Sequence, residues 1–257
     1  MMELKNTRVL VTGASSGIGH SCAAKFAEAG AKLLIVARRR DRIAEFANEL
    51  KKKFRTDCMS VGLDVRDRAA VERFFAALPK EWQEIDVLVN NAGLSRGLDK
   101  LHEGKIEDWE EMIDTNIKGL LYVSRAVIPG MVARGNGTII NIGSIAGHEV
   151  YPGGNVYAAT KHAVDALTKG MRLDLVDTPV RVCTVDPGLV ETEFSMVRFR
   201  GNNEKAKAVY KNLQPLSPDD VADAVVFCAT RPAHVQIAEM IVLPTAQAST
   251  TLVHRKN

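Results

Sequence analysis

The most constraining stretch of the chain is Thr12-Gly13-Ala14-Ser15-Ser16-Gly17-Ile18-Gly19. It follows the apolar run Arg8-Val9-Leu10-Val11 and opens a helical pattern at Ser21-Cys22-Ala23-Ala24. A strand, a tight glycine turn and a helix N-terminus together make an anion site. The first helical amides have no internal partner, and the helix dipole adds partial positive charge there. Gly13 permits the turn, Gly17 lets backbone approach a phosphate, and Gly19 lets the helix pack on the strand. The spacing is G-x-x-x-G-x-G, which differs from the common G-x-G-x-x-G fingerprint. Ser15, Ser16 and Ile18 fill the loop and join the predicted cofactor contacts.

Downstream, strand and helix patterns alternate. Strands are predicted at Arg8–Thr12, Lys32–Ala37, Cys58–Leu63, Asp86–Asn90, Thr138–Ile142, Val180–Asp186 and Glu239–Leu243. Most are continuous Val/Ile/Leu-rich runs, as a parallel sheet covered on both faces requires. Helices are predicted at about 18–29, 40–54, 67–78, 106–133, 154–176 and 218–230. The fold class that follows is α/β: a single-domain, doubly wound, Rossmann-like parallel sheet of about seven strands over 1–257, with ligands at the carboxyl edge. The stretch of about 187–217 is predicted irregular and lid-like. The tail, about 244–257, is expected to pack on something, a neighbouring subunit being one candidate.

Composition excludes several classes. A net charge of +3 is spread along the chain, so no basic stripe calls for nucleic acid. No apolar run approaches the ~20 residues that span a bilayer. Cys22, Cys58, Cys183 and Cys228 stand apart without a C-x-x-C pair, and the six histidines have no ligand spacing, so no metal is expected. Met1 leads directly to the first strand with no signal-like segment, and the expected location is cytoplasmic.

Two further constellations carry chemistry. The second predicted strand ends at Ala37 and is followed by Arg38 and Arg39, where an acidic residue would favour NAD. A guanidinium suits a 2′-phosphate, so NADP(H) is the predicted cofactor. Tyr157 and Lys161 lie four apart, on one face of a helix. A nearby ammonium lowers a phenol's pKa and fits it to exchange a proton with a carbonyl or alcohol oxygen. Ser144, at the end of the fifth strand, is placed to hold that oxygen, and Asn116 to anchor a water chain to Lys161.

Taken in order, Thr12–Gly19, Asn90-Asn91-Ala92-Gly93, Asn116, Ser144, Tyr157/Lys161 and Pro187-Gly188 resemble the signature of the short-chain dehydrogenases/reductases. The resemblance implies hydride transfer at a carbonyl carbon. It makes Tyr157 the acid/base, Lys161 its partner and a nicotinamide-ribose ligand, Ser144 the substrate orienter and Asn116 a relay member. Asp64 and Val65 would flank the adenine; Asn90, Ala92 and Gly93 would line the cofactor; Val190 and Thr192 would hold the carboxamide. A narrower resemblance, through Asn141–Gly147, Tyr151–Tyr157, Pro187–Val190 and Thr192–Phe199, is to NADP-dependent 3-hydroxy acid dehydrogenases. That group acts on serine, allo-threonine and related acids, reduces malonic semialdehyde, has relatives that reduce sulfoacetaldehyde, and forms homotetramers whose tails reach toward a neighbour's site.

A small acid needs a cation in the pocket. Arg198 is the first candidate, then Arg200, then Arg255 of a partner's tail. His148 and Glu149 are expected near the pocket, where an inward Glu149 would repel an anion. The alternatives are a reductase of uncharged ketones or 3-oxoacyl thioesters, and a nucleotide-sensing protein without catalysis. Intact Ser144, Tyr157 and Lys161 weigh against the second.

Overall fold

The computed structural model describes residues 4–256. Its seven strands are β1 (Arg8–Thr12), β2 (Lys32–Ala37), β3 (Cys58–Gly62), β4 (Val87–Asn90), β5 (Thr138–Ile142), β6 (Arg181–Pro187) and β7 (Glu239–Val242). All pair in parallel, in the order β3-β2-β1-β4-β5-β6-β7. The order reverses between β1 and β4. The chain leaves β1 toward one side of the sheet and later returns to the other, so a crevice opens at the carboxyl ends.

The core follows from strand alternation. Val9, Val11, Leu33 and Ile35 point to one face and pack with Phe26 of α1 (Gly17–Glu28), Phe46 of α2 (Arg40–Phe54) and Val221 of α10 (Pro218–Ala229). Leu10, Leu34 and Val36 point to the other, against Val71 of α3 (Arg68–Ala76) and Val127 of α6 (Leu120–Arg134). Sheet residues buried on both sides explain the unbroken apolar runs. Helix α10 starts sharply because Ser217 and Asp220 form a reciprocal capping box, with Pro218 at the first helical position.

Two predicted elements differ. The helix expected over 106–133 is α5 (Ile106–Ile113), a π-helical stretch at Asp114–Gly119, and α6. The widened turn carries Asn116. The stretch expected to be irregular at 187–217 holds two short helices, α8 (Phe194–Arg198) and α9 (Asn203–Ala208). Short α4 (Lys80–Gln83) precedes β4, and α7 (Asn155–Asp174) precedes β6. Among the described residues no helix is long and apolar enough to cross a membrane.

Candidate active site

A cleft of about 1320 Å³ runs along the carboxyl edge, from the β1–α1 turn to α8. At one end, Gly13 and Gly17 have positive φ, at 67° and 57°. A Cβ on Gly13 would come within 2.9 Å of the Ala92 backbone, and one on Gly17 within 3.2 Å of Thr192. Both positions therefore need glycine, for the left-handed backbone and for the close approach of Ala92 and Thr192. Gly19 differs from its predicted role. A Cβ there would strike the Asn91 side chain and the Gly13 carbonyl, so it makes room for the β4 loop, not for the strand.

The basic cluster divides in two. Arg39 donates to Ser15 Oγ at 3.0 Å, Ser16 Oγ at 2.5 Å and Glu193 at 2.6 Å. Arg42 also reaches Glu193, at 2.8 Å. The Arg39 contact holds the Glu193 carboxyl below its ordinary range despite partial burial, and Arg42 adds to the effect. Arg38 instead turns toward Glu111, at 3.7 Å. Asp64 is gripped by Arg66 at 2.7 Å. Burial raises the Asp64 carboxyl, but this pairing leaves it lowered on balance. Val65 packs beneath, against Gly119.

Not every predicted cofactor residue faces the cleft. Ala92, Gly93, Pro187, Gly188, Val190 and Thr192 line it, but Asn90 does not. The Asn90 amide is buried and donates to Ser124 Oγ and Asn141 Oδ1, both at 2.9 Å, tying β4 to its neighbours. Asn116 is likewise turned inward. Its Oδ1 accepts from Leu94 N at 2.9 Å, and its Nδ2 donates to Leu94 O at 2.9 Å and Thr160 Oγ1 at 3.0 Å. The side chain braces the β4 loop against α7.

At the other end stand Ser144, Tyr157 and Lys161, all buried. Ser144 follows β5 and is fixed by its N–H donating to Asp186 Oδ1 at 3.1 Å. Lys161 donates to Ile142 O at 2.8 Å, with Nζ 5.9 Å from the Tyr157 ring centre. Burial pushes the Lys161 ammonium down to about 8, against the opposing pull of Asp186. Burial also raises the Tyr157 phenol, and Tyr151 adds to this. Arg198 and then Ser144 pull it back. The phenol therefore stays raised on balance, and the cation that opposes its burial here is Arg198 and not Lys161.

Arg198, on α8, lies with its guanidinium carbon 5.4 Å from the Tyr157 ring centre and 5.0 Å from that of Phe194. It donates to Tyr151 Oη at 3.1 Å, while its buried Nε has no partner. The other two candidate cations are engaged. Arg200 pairs with Asp108, and Arg255 donates to Lys211 O at 2.6 Å and Val209 O at 2.9 Å of its own chain. The tail thereby folds over the segment that follows α9, and Thr250 lines the same cleft. Glu149 does not point inward: it accepts from Thr250 N at 2.9 Å and Oγ1 at 3.0 Å. Sequence reasoning missed Glu193 and Tyr151 as cleft residues. Glu193 stood beside a predicted contact, Thr192, and only its charge opposite the arginines could have drawn notice.

A glycine cradle, a basic pocket and a buried Ser-Tyr-Lys set on one crevice define a dehydrogenase class. The short chain dehydrogenase family model matches residues 7–203, and the chain belongs to that family. It is 50% identical over 249 residues to the NADP-dependent 3-hydroxy acid dehydrogenase YdfG of Salmonella typhi, covering 96% of this chain and 99% of that protein. It is 45% identical to the NADP-dependent 3-hydroxy acid dehydrogenase of Schizosaccharomyces pombe, over all of this chain and 99% of the relative. The closed form of serine dehydrogenase complexed with NADP+ superimposes with a TM-score of 0.91 at 48% identity, covering 97% of this chain and 100% of that one.

Proposed function

We propose that the protein is an NADP(H)-dependent oxidoreductase of small 3-hydroxy acids and their carbonyl counterparts, of the serine, allo-threonine and malonic semialdehyde type. The observation that carries the acid preference is Arg198: a half-buried guanidinium over Tyr157 whose buried Nε has no partner. Desolvated guanidinium donors favour a carboxylate strongly, because leaving them unpaired is costly.

The glycine cradle, Ser15, Ser16 and Arg39 would hold the phosphates of NADP(H), with Arg38 near the adenine side. Ile18, Asp64, Val65, Ala92, Gly93, Pro187, Gly188, Val190 and Thr192 would line its length. When bound there, NADP(H) supplies or accepts the hydride. The chain's own groups move the proton. Ser144 Oγ orients the substrate oxygen. Tyr157 Oη gives a proton to that oxygen in reduction and takes one from the alcohol in oxidation. Lys161, whose ammonium burial brings down to about 8, would hold the nicotinamide ribose and exchange protons with a water held by the Asn116 carbonyl. The buried setting strengthens each of these contacts.

The test is NADP+ reduction with L-serine, L-allo-threonine and 3-hydroxypropionate, alongside NAD+ and uncharged alcohols. Turnover of the acids with NADP+ supports the reading. Equal preference for uncharged alcohols overturns the substrate class, and cofactor binding with no turnover overturns the enzyme. A homotetramer is the proposed assembly. Leu173 and Val176 are 75% and 82% exposed, an apolar surface suited to burial between copies. The free, buried cysteines suit a reducing cytoplasm.

A further inference from the structure

Behind Ser144 lies a cluster that the hydride chemistry does not use. Thr184 and Asp186 are two apart on β6, so their side chains share a face of the sheet. Glu239 of β7 pairs with Thr184 and joins that face. His148 enters from the turn after Ile145–Gly147. Its Nε2 lies 3.2 Å from Asp186 Oδ2 and 3.2 Å from Glu239 Oε1. Three ligand atoms from residues remote in sequence lie within 4.8 Å of one another.

Two features separate this cluster from an ordinary ion pair. First, Nε2 is buried and has no hydrogen-bond partner, although two carboxylate oxygens stand near it. Both oxygens lie off the axis along which a ring N–H would donate. A hydrogen bond wants its acceptor on that axis. A metal on the axis wants its other ligands beside it. Ligands about 2.1 Å from a tetrahedral ion stand roughly 3.4 Å from one another, close to the spacing here. Second, Asp186 is already oriented. Ser144 N–H donates to Oδ1 at 3.1 Å and the Thr184 hydroxyl to Oδ2 at 2.9 Å, the outer contacts that fix a ligating carboxylate. The Glu239 side chain, 32% exposed, gives an ion a path from solvent.

We propose that His148, Asp186 and Glu239 form a binding site for one divalent transition-metal cation such as Zn2+. One imidazole nitrogen and two carboxylate oxygens would bind it, with water completing the shell. This donor set suits Zn2+, Co2+ or Mn2+ and includes no thiolate. The ion would join β6 and β7 to the segment after β5. Its consequence is stability, since an ion that binds only the folded chain raises the unfolding midpoint.

The experiment uses full-length protein stripped with a chelator and titrated with Co2+ and Zn2+. The expected result is one equivalent of Co2+ with weak visible bands and no intense thiolate absorption, displaced by Zn2+. Zn2+ should also raise the unfolding temperature. His148→Ala and Glu239→Gln should each weaken binding by at least about tenfold and lose that thermal shift, while keeping the circular dichroism spectrum and turnover. Three results would overturn the proposal: no saturable binding up to millimolar metal, equal binding by wild type and both variants, or a thiolate signature. The first would leave the cluster as an imidazole shared between two carboxylates.

Discussion

The two ends of the cleft use charge in opposite ways. At the phosphate end the charged side chains are half exposed and already paired: Arg39, Arg42 and Glu193 are 40%, 53% and 46% accessible. At the reaction end Tyr157 and Lys161 are buried, both shifted by loss of water, and the Arg198 Nε is buried without a partner. Exposed pairs exchange partners at little cost, whereas buried groups have few alternatives. On the proposed function, the first end would trade Glu193 for a phosphate. The second would hold fixed donors around one oxygen and one carboxylate.

The largest expected break in this contrast is at Tyr157. Tyr157→Phe keeps the ring and removes the transferable proton. Turnover should fall by at least about 10²-fold, with NADPH affinity by fluorescence titration unchanged. In wild type, alcohol oxidation should climb with pH as the phenol ionises. Because burial raises that phenol, the climb belongs on the alkaline side. A phenylalanine variant with near-normal turnover would erase the contrast.

A smaller effect belongs to Arg39, which touches both turn hydroxyls. Arg39→Ala should weaken NADPH about tenfold and NADH little, as loss of one charge-assisted contact allows. Arg38→Ala should cost less, because Arg38 faces Glu111. Equal losses for both cofactors on titration would remove the arginine from 2′-phosphate recognition. The smallest effect is at Glu193. Glu193→Gln frees Arg39 and Arg42, so NADPH should bind roughly two- to fivefold tighter at low salt, with the gain fading as salt rises. Weaker binding in this variant would mean that Glu193 supports the cofactor instead of competing with it.

Much of this is legible in the sequence. The strands stood out because a parallel sheet buried on both faces demands unbroken Val, Ile and Leu, and their ends moved by a residue or so. The glycine turn and the Tyr157/Lys161 pair were visible because local spacing defines them. What stayed hidden depends on contacts between distant segments. No periodicity marks the π-helical stretch at Asn116, nor five-residue α8. The inward turn of Asn90 is set by Ser124 and Asn141. The different directions of neighbouring Arg38 and Arg39 are set by Glu111 and Glu193. The folding of Arg255 onto the segment after α9 is a matter of tertiary packing. The His148 cluster escaped for the same reason, because local ligand spacing cannot detect residues gathered from three segments.

The proposed selection of acids at the reaction end rests on Arg198, a half-buried side chain whose buried Nε has no partner. It is tested most directly by kcat/KM for 3-hydroxybutyrate and for its uncharged methyl ester, in wild type and in Arg198→Ala. The variant should lose about 10- to 150-fold on the acid, chiefly through KM, and little on the ester. Arg198→Lys should recover only part of the loss, since an ammonium lacks the planar fork. Equal losses on acid and ester would contradict it and reduce Arg198 to a brace for α8.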